Sequence, residues 1–300
     1  MSPLSPRAVL REVAAAVPED LRASLVVIGS LAVAYRLLPE SDGLGVRTKD
    51  VDCVVTPRVA AVDRGREVAR QLLAAGWWPR ASGAFAAPGG DATPESALPV
   101  VRLHPPGRAD WFIELLAEPE VGQQGRTFTR LPLGESEHFV LPSFEFGAVA
   151  THGAEPAEGG LRCARPERMA LSHLLEHPRL RPEKIGGTEF RRSNKDLGRA
   201  LAIALLDAER LDAWPESWLT ALRELFPRRW PVFAAHCGDG LRALLASHAD
   251  LREAAEICAA GVLAGRGVTT EDLDIAGRRL EVLVVREVEE VGRRATKERR

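Results

Sequence analysis

The strongest constraint on this chain is a change of apolar rhythm near residue 150. Before it, short apolar runs such as "SLVVI", "DVDCVV", "LPVVRLH" and "DWFIELLAE" alternate with stretches at helical spacing. After "THGAEPAEGG", a linker-like stretch rich in Gly, Ala and Pro, the apolar positions recur every three or four residues almost to the end. The first rhythm belongs to strands mixed with helices and the second to helices alone. The sequence therefore predicts an α+β chain, with a mixed sheet flanked by helices over 1–155 and a helical domain over 156–300.

Local signals refine this layout. Ser5-Pro6 suits the cap and first turn of a helix running to about Val17, and Thr56-Pro57 opens an amphipathic helix that stops at Gly76. "LAVAYRLL" reads as a helix directly after a strand, and "HFVLP" as a further short strand. In the second half the periodicity predicts helices near 166–177, 194–208, 216–226, 231–246, 250–264 and 270–293.

A net charge of −2 excludes a global polycation of the kind that binds DNA without further design. Cys53, Cys163, Cys237 and Cys258 are far apart and form no CxxC pair, which reads as reduced thiols in a cytoplasmic protein. The N-terminus shows no signal-peptide pattern, and no apolar run approaches a membrane span, so no membrane partner is expected.

Charge is misplaced at one strand. Asp50 and Asp52 open "DVDCVV", and side chains two apart on a strand share one face, about 6.5–7 Å apart. Val51 and Cys53 then point the other way. Two such carboxylates suit hard divalent cations, which take oxygen ligands, and a pair of cations can clamp the oxygens of a phosphoryl transfer. A solvated strand entrance is the competing reading. Upstream, Gly29-Ser30 joins strand to helix; a glycine there lets a ligand approach the backbone, and the helix start with the Ser30 hydroxyl can donate to a phosphate.

The combination of strand, Gly29-Ser30, helix, loop and the Asp50-Val51-Asp52 strand resembles the nucleotidyltransferase superfamily with the DNA-polymerase-β-like fold. "RTKDVD" looks like the AbiEii-like group of bacterial nucleotidyltransferase toxins, where a loop ending in Arg-Thr-x-Asp precedes the second strand. The resemblance implies a third carboxylate on a later strand, for which "DWFIELLAE" offers Glu114 with Asp110 as competitor; the family more often has aspartate here. It also implies a basic-acidic pair on a later helix, matched by Lys195-Asp196, with Arg192 and Arg199 on the same helix face as Lys195. The lysine that the group carries on an upstream helix is absent, and Arg168 or His173 stands in that neighbourhood. His173 and His177, four residues apart, read as surface histidines.

What the resemblance implies is a Mg²⁺- or Mn²⁺-dependent nucleotidyltransferase that moves a nucleoside monophosphate from an NTP to an acceptor hydroxyl. Asp50, Asp52 and Glu114 would hold metal, with Glu114 also taking the acceptor's proton. Gly29, Ser30, Arg47, Lys195 and Arg199 would bind the nucleotide, and Asp196 would orient Lys195 or assist proton transfer. The role implied is a toxin of a toxin–antitoxin or phage-defence pair, acting on tRNA or protein, with a cognate antitoxin as partner. Two alternatives stay open: the same chemistry on a small antibiotic-type molecule, and a non-catalytic descendant that binds or regulates.

Overall fold

The computed structural model describes residues 3–40, 43–79, 88–120, 122–180 and 183–298. The chain is α+β, with a mixed sheet and a helical C-terminal region. Two compact units form, one from Met1–Tyr35 with Arg47–Ala164 and the other from Arg36–Val46 with Arg165–Arg300. The expected break at 155/156 thus falls at Ala164/Arg165, and a short early segment packs with the later helices.

The first unit runs α1 (Pro6–Ala16), α2 (Glu19–Arg22), β1 (Leu25–Val27), α3 (Gly29–Leu37), β2 (Asp50–Val55), α4 (Ala61–Ala74), β3 (Trp78–Pro79), β4 (Arg102–His104) and β5 (Phe112–Ala117). It continues through β6 (Arg126–Pro132), β7 (His138–Phe144), α5 (Gly147–Thr151), β8 (Glu155–Pro156) and β9 (Arg162–Cys163). Ser5 caps α1 by accepting from the Ala8 amide, and Pro6 fills the first turn. Seven strands form one sheet in the order β3-β4-β5-β2-β1-β9-β8, while β6 and β7 make a separate antiparallel pair. The β2–β5 and β1–β9 pairs are parallel and the other pairs in the large sheet are antiparallel.

β2 is interior because its second half is apolar on both faces: Val51, Cys53 and Val55 are fully buried and Val54 nearly so. The "THGAEPAEGG" stretch is not a linker. It carries the end of α5 and all of β8, and the chain turns there into β9, which extends the sheet beside β1. Backbone hydrogen bonding to a waiting sheet edge overrides the turn-like composition.

The second unit is helical: α6 (Pro166–Leu180), α7 (Arg192–Leu206), α8 (Trp214–Leu225), α9 (Trp230–His236), α10 (Asp239–Leu245), α11 (His248–Ala260), α12 (Thr270–Leu280) and α13 (Arg286–Glu298). α7 packs against α6, α11 and α12, which is why Leu197, Ala200, Leu201, Ala202, Ile203 and Ala204 are all buried. Trp214 donates to Asp207 Oδ2 at 3.1 Å and Trp218 to the Glu167 carbonyl at 2.8 Å, so each buried indole N–H is satisfied. The single helix expected over 231–246 is split, with Cys237 and Gly238 lying between α9 and α10. A Cβ on Gly238 would meet Val285 Cγ1 at 2.2 Å, and its amide donates to Glu289 Oε1 at 3.1 Å. The break therefore accommodates α13. α12 and α13 are joined by a π-helical turn, Glu281–Val285. All four cysteines are free and buried. Among the described residues no helix is long and apolar enough to cross a membrane.

α13 packs closely on α9. A Cβ on Gly292 would lie 2.6 Å from the Ala235 nitrogen and 2.7 Å from the Pro231 oxygen, and backbone cannot yield as a side chain does. Gly292→Ala is therefore expected to lower stability by about 1–3 kcal/mol through overpacking. Urea unfolding followed by circular dichroism should show a lower midpoint with an unchanged slope.

Candidate active site

The parallel register of β2 and β5 sets Asp50 beside Phe112 and Asp52 beside Glu114. Registered neighbours share a sheet face, so Asp50, Asp52 and Glu114 project to one side while Val51, Cys53, Ile113 and Leu115 enter the core on the other. The three acids are each half-buried among buried neighbours, and only this face of β2 and β5 is partly open. β4 continues the row, because Arg102 is registered with Glu114. Its Nε donates to Glu114 Oε2 at 2.5 Å. The Thr48 hydroxyl lies 2.7 Å from Asp50 Oδ1, within donating distance.

Gly29 sits against the same row. The Ile28 amide donates to the Asp52 carbonyl at 2.9 Å, carrying the β1–β2 ladder up to the turn. Gly29 then takes φ +73°, the left-handed region that favours glycine, and opens α3. A Cβ placed on it would stand 2.7 Å from Asp52 Oδ2. The Asp52 carboxylate therefore rests on bare backbone at the start of a nine-residue helix, with Ser30 next in line. Arg47 is exposed in the loop before β2.

The two acids considered for the third position stand differently to this row. Asp110 lies outside β5, exposed, in a fork with Arg108 at 3.1 and 2.8 Å. That contact holds its carboxyl below the usual range. Glu114 is the acid in register. Asp50 and Asp52 fit a hard divalent cation by donor chemistry, and Asp52 Oδ2 lies where a Cβ on Gly29 would stand. Glu114 is instead paired to Arg102, and among the described residues no three His, Cys, Asp or Glu side chains gather as a metal-binding group.

The remaining candidates lie on α7 in the second unit. Lys195 and Arg199 are half-buried and Asp196 is buried. Neighbours one residue apart on a helix do not face each other, and Asp196 meets His173 of α6, with Oδ1 and Nδ1 3.6 Å apart. Burial pushes His173 down to about 4, and the charges of Arg199 and Lys195 push the same way against Asp196. His173 is thus neutral at pH 7 and supplies no cation. Arg168 is 3 % exposed and donates to the Ser217 carbonyl. It is committed to α8, and burial lowers it to about 10. Neither residue replaces the absent lysine. His173 and His177 are not surface histidines: the side chain of His173 is 17 % exposed, and His177 is buried against Gly240 of α10.

Sequence reading missed Arg102, Thr48 and Phe112 as members of the acid row. The parity of Arg102 in "VVRLH" was the available signal, but register between strands is not written in either strand alone.

Two outcomes are expected. Gly29→Ala adds a Cβ at positive φ and against Asp52, and should cost about 1–2 kcal/mol from the backbone alone, read as a lower thermal midpoint. For His173 the folded value of about 4 lies below the ordinary histidine value of 6.5, so the unfolded chain binds the extra proton across that window. Stability therefore rises with pH between them, by up to about 3 kcal/mol from this group. His173→Gln should flatten that part of the stability–pH curve, measured by urea melts from pH 4 to 7.

Comparison with protein-family models, with curated proteins and with solved structures finds no match to this chain.

Proposed function

We propose that the first unit carries a nucleotidyltransferase site of the DNA-polymerase-β-like type, in the AbiEii-like manner. The observation that carries the reading is the conjunction at Asp52: it is registered beside Glu114, and its carboxylate rests on the Gly29 turn that opens α3. In this reading the α3 amides and the Ser30 hydroxyl receive the triphosphate of an NTP. Asp50 and Asp52 hold Mg²⁺ or Mn²⁺, which would neutralise phosphate charge. Glu114 takes the proton of the acceptor hydroxyl once Arg102 releases it. Arg47 is the cation that the first unit offers to phosphates, and Lys195, Arg199 and Asp196 are the second unit's candidate nucleotide-binding residues, with Asp196 Oδ1 3.6 Å from His173 Nδ1. The acceptor is tRNA or a protein, and the biological setting is a toxin with a cognate antitoxin. An antibiotic-type small molecule is the alternative acceptor.

A second reading, the non-catalytic binding or regulatory descendant, is favoured by one observation. Glu114 and Asp50 already have protein partners, Arg102 and Thr48, so these acids are stabilised without a cation.

The test is transfer of label from each α-³²P-NTP with Mg²⁺ onto cellular RNA and protein, comparing wild type with Asp52→Ala. Label that appears with wild type alone, and falls at least about 100-fold in the variant, supports the transferase. Equal labelling by the two proteins, or none on polymers or small molecules, removes it.

A further inference from the structure

The acid row has a parallel row beside it. β3, β4, β5 and β2 register Trp78 with His104, and Phe112 with Asp50; His104 and Phe112 face each other where the β4–β5 ladder continues by one pair. All four side chains lie on the face that carries Asp52 and Glu114. The rings touch in order. Trp78 stacks on His104 with centroids 4.4 Å apart and planes 29° apart, and His104 meets Phe112 edge-on at 5.8 Å. The His104 ring is fixed by its Nδ1, 2.7 Å from the Trp111 carbonyl, which can only accept. Phe112 and His104 are covered, at 4 % and 5 % exposure, whereas Trp78 at the sheet edge is 41 % exposed.

The adjacent tryptophan shows why Trp78 is held so firmly. Trp77 is buried and packs edge-on against Trp111 at 5.4 Å, so it anchors the strand from the opposite side. A buried Trp77 and a half-exposed Trp78 are what strand alternation requires. Exposing an indole on a fixed stack has no benefit for the core, since its apolar area stays in water. A planar ring is the ligand that such a surface fits. Three strand spacings, about 14 Å, separate the β3 and β2 backbones, so the ring would be set well to one side of the acids.

We infer that Trp78, braced by His104, is a stacking platform for a nucleobase of the molecule that reacts at the Asp50–Asp52 row. The inference rests on the transferase reading for what lies at the acids, but not for the stacking itself. Base–aromatic stacking tolerates any sequence, because every base has a π-face. The Trp78 site would therefore position a nucleic-acid end, or an NTP, without selecting its base.

The test uses the full chain in EDTA, where no transfer occurs. Affinity for a short fluorescein-labelled oligo(A) RNA and for ATP is measured for wild type, Trp78→Ala, Trp78→Leu and Trp78→Phe. The expected result is a loss of about 5- to 150-fold on Trp78→Ala, with Phe restoring most of it and Leu restoring little. A loss confined to the RNA assigns the base to the acceptor, and a loss that includes ATP assigns it to the donor nucleotide. Unchanged affinity in Trp78→Ala, full recovery in Trp78→Leu, or no binding of either probe by wild type overturns the inference. Phosphoryl transfer that depends on Asp52 but not on Trp78 would overturn the platform and leave the transferase. Binding that depends on Trp78 without any transfer would do the reverse.

Discussion

Everything proposed for this protein hangs on the register of two parallel strands. Side chains on a strand alternate, so a slip of β2 by one residue against the core would bury Asp50 and Asp52 and expose Val51 and Cys53. The apolar half of β2 forbids that slip. With β2 locked, β5 brings Glu114 beside Asp52, and β4 brings Arg102 beside Glu114. Burial pushes the Cys53 thiol up, and the Asp52 charge adds to the effect, so on the core side the residue between strand and acid is a neutral apolar one. The functional face and the hydrophobic face are thus specified by the same parity.

Half-buried carboxylates are costly unless something opposes them. Here Arg102 opposes Glu114, Thr48 donates to Asp50, and the bare Gly29 turn lies under Asp52. In the proposed transferase a divalent cation at the aspartates would compete with Arg102 for the negative charge of Glu114. The strength of that competition separates a working transferase from a protein that only binds, and both readings follow from the same side chains.

Much of this was legible in the sequence because the relevant signals are local. The Ser5 cap, the alternation of Asp50-Val51-Asp52 and the glycine after "SLVVI" each act within a few residues. The starts of α11 and α12 fell near their Ser247 and Thr269 caps. What failed was everything decided by a distant partner. "THGAEPAEGG" has turn-forming composition, yet the edge of β1 recruits the residues after it as strand. The interruption at Gly238 depends on Val285 and Glu289, about fifty positions along. β6 was not foreseen, because its half-exposed pattern becomes a strand only against β7. The pairing of Asp196 with His173 needed the α6–α7 contact, and the aromatic row beside the acids needed three registers at once.

The detour of Arg36–Val46 carries a consequence for how this protein can be handled and made. The chain leaves the strand-bearing unit, contributes eleven residues to the helical one, and returns at Arg47. Within the helical unit Arg266 donates to the Gly45 carbonyl at 3.2 Å, and Gly265 lies against Leu44. No single cut therefore yields two whole pieces. A fragment ending at Ala164 would hold an orphaned loop, and one beginning at Arg165 would lack the strip that Arg266 binds. During synthesis that strip emerges from the ribosome long before its partners, so the helical unit cannot be completed from its own contiguous stretch of message. Neither packing unit corresponds to one contiguous stretch of message.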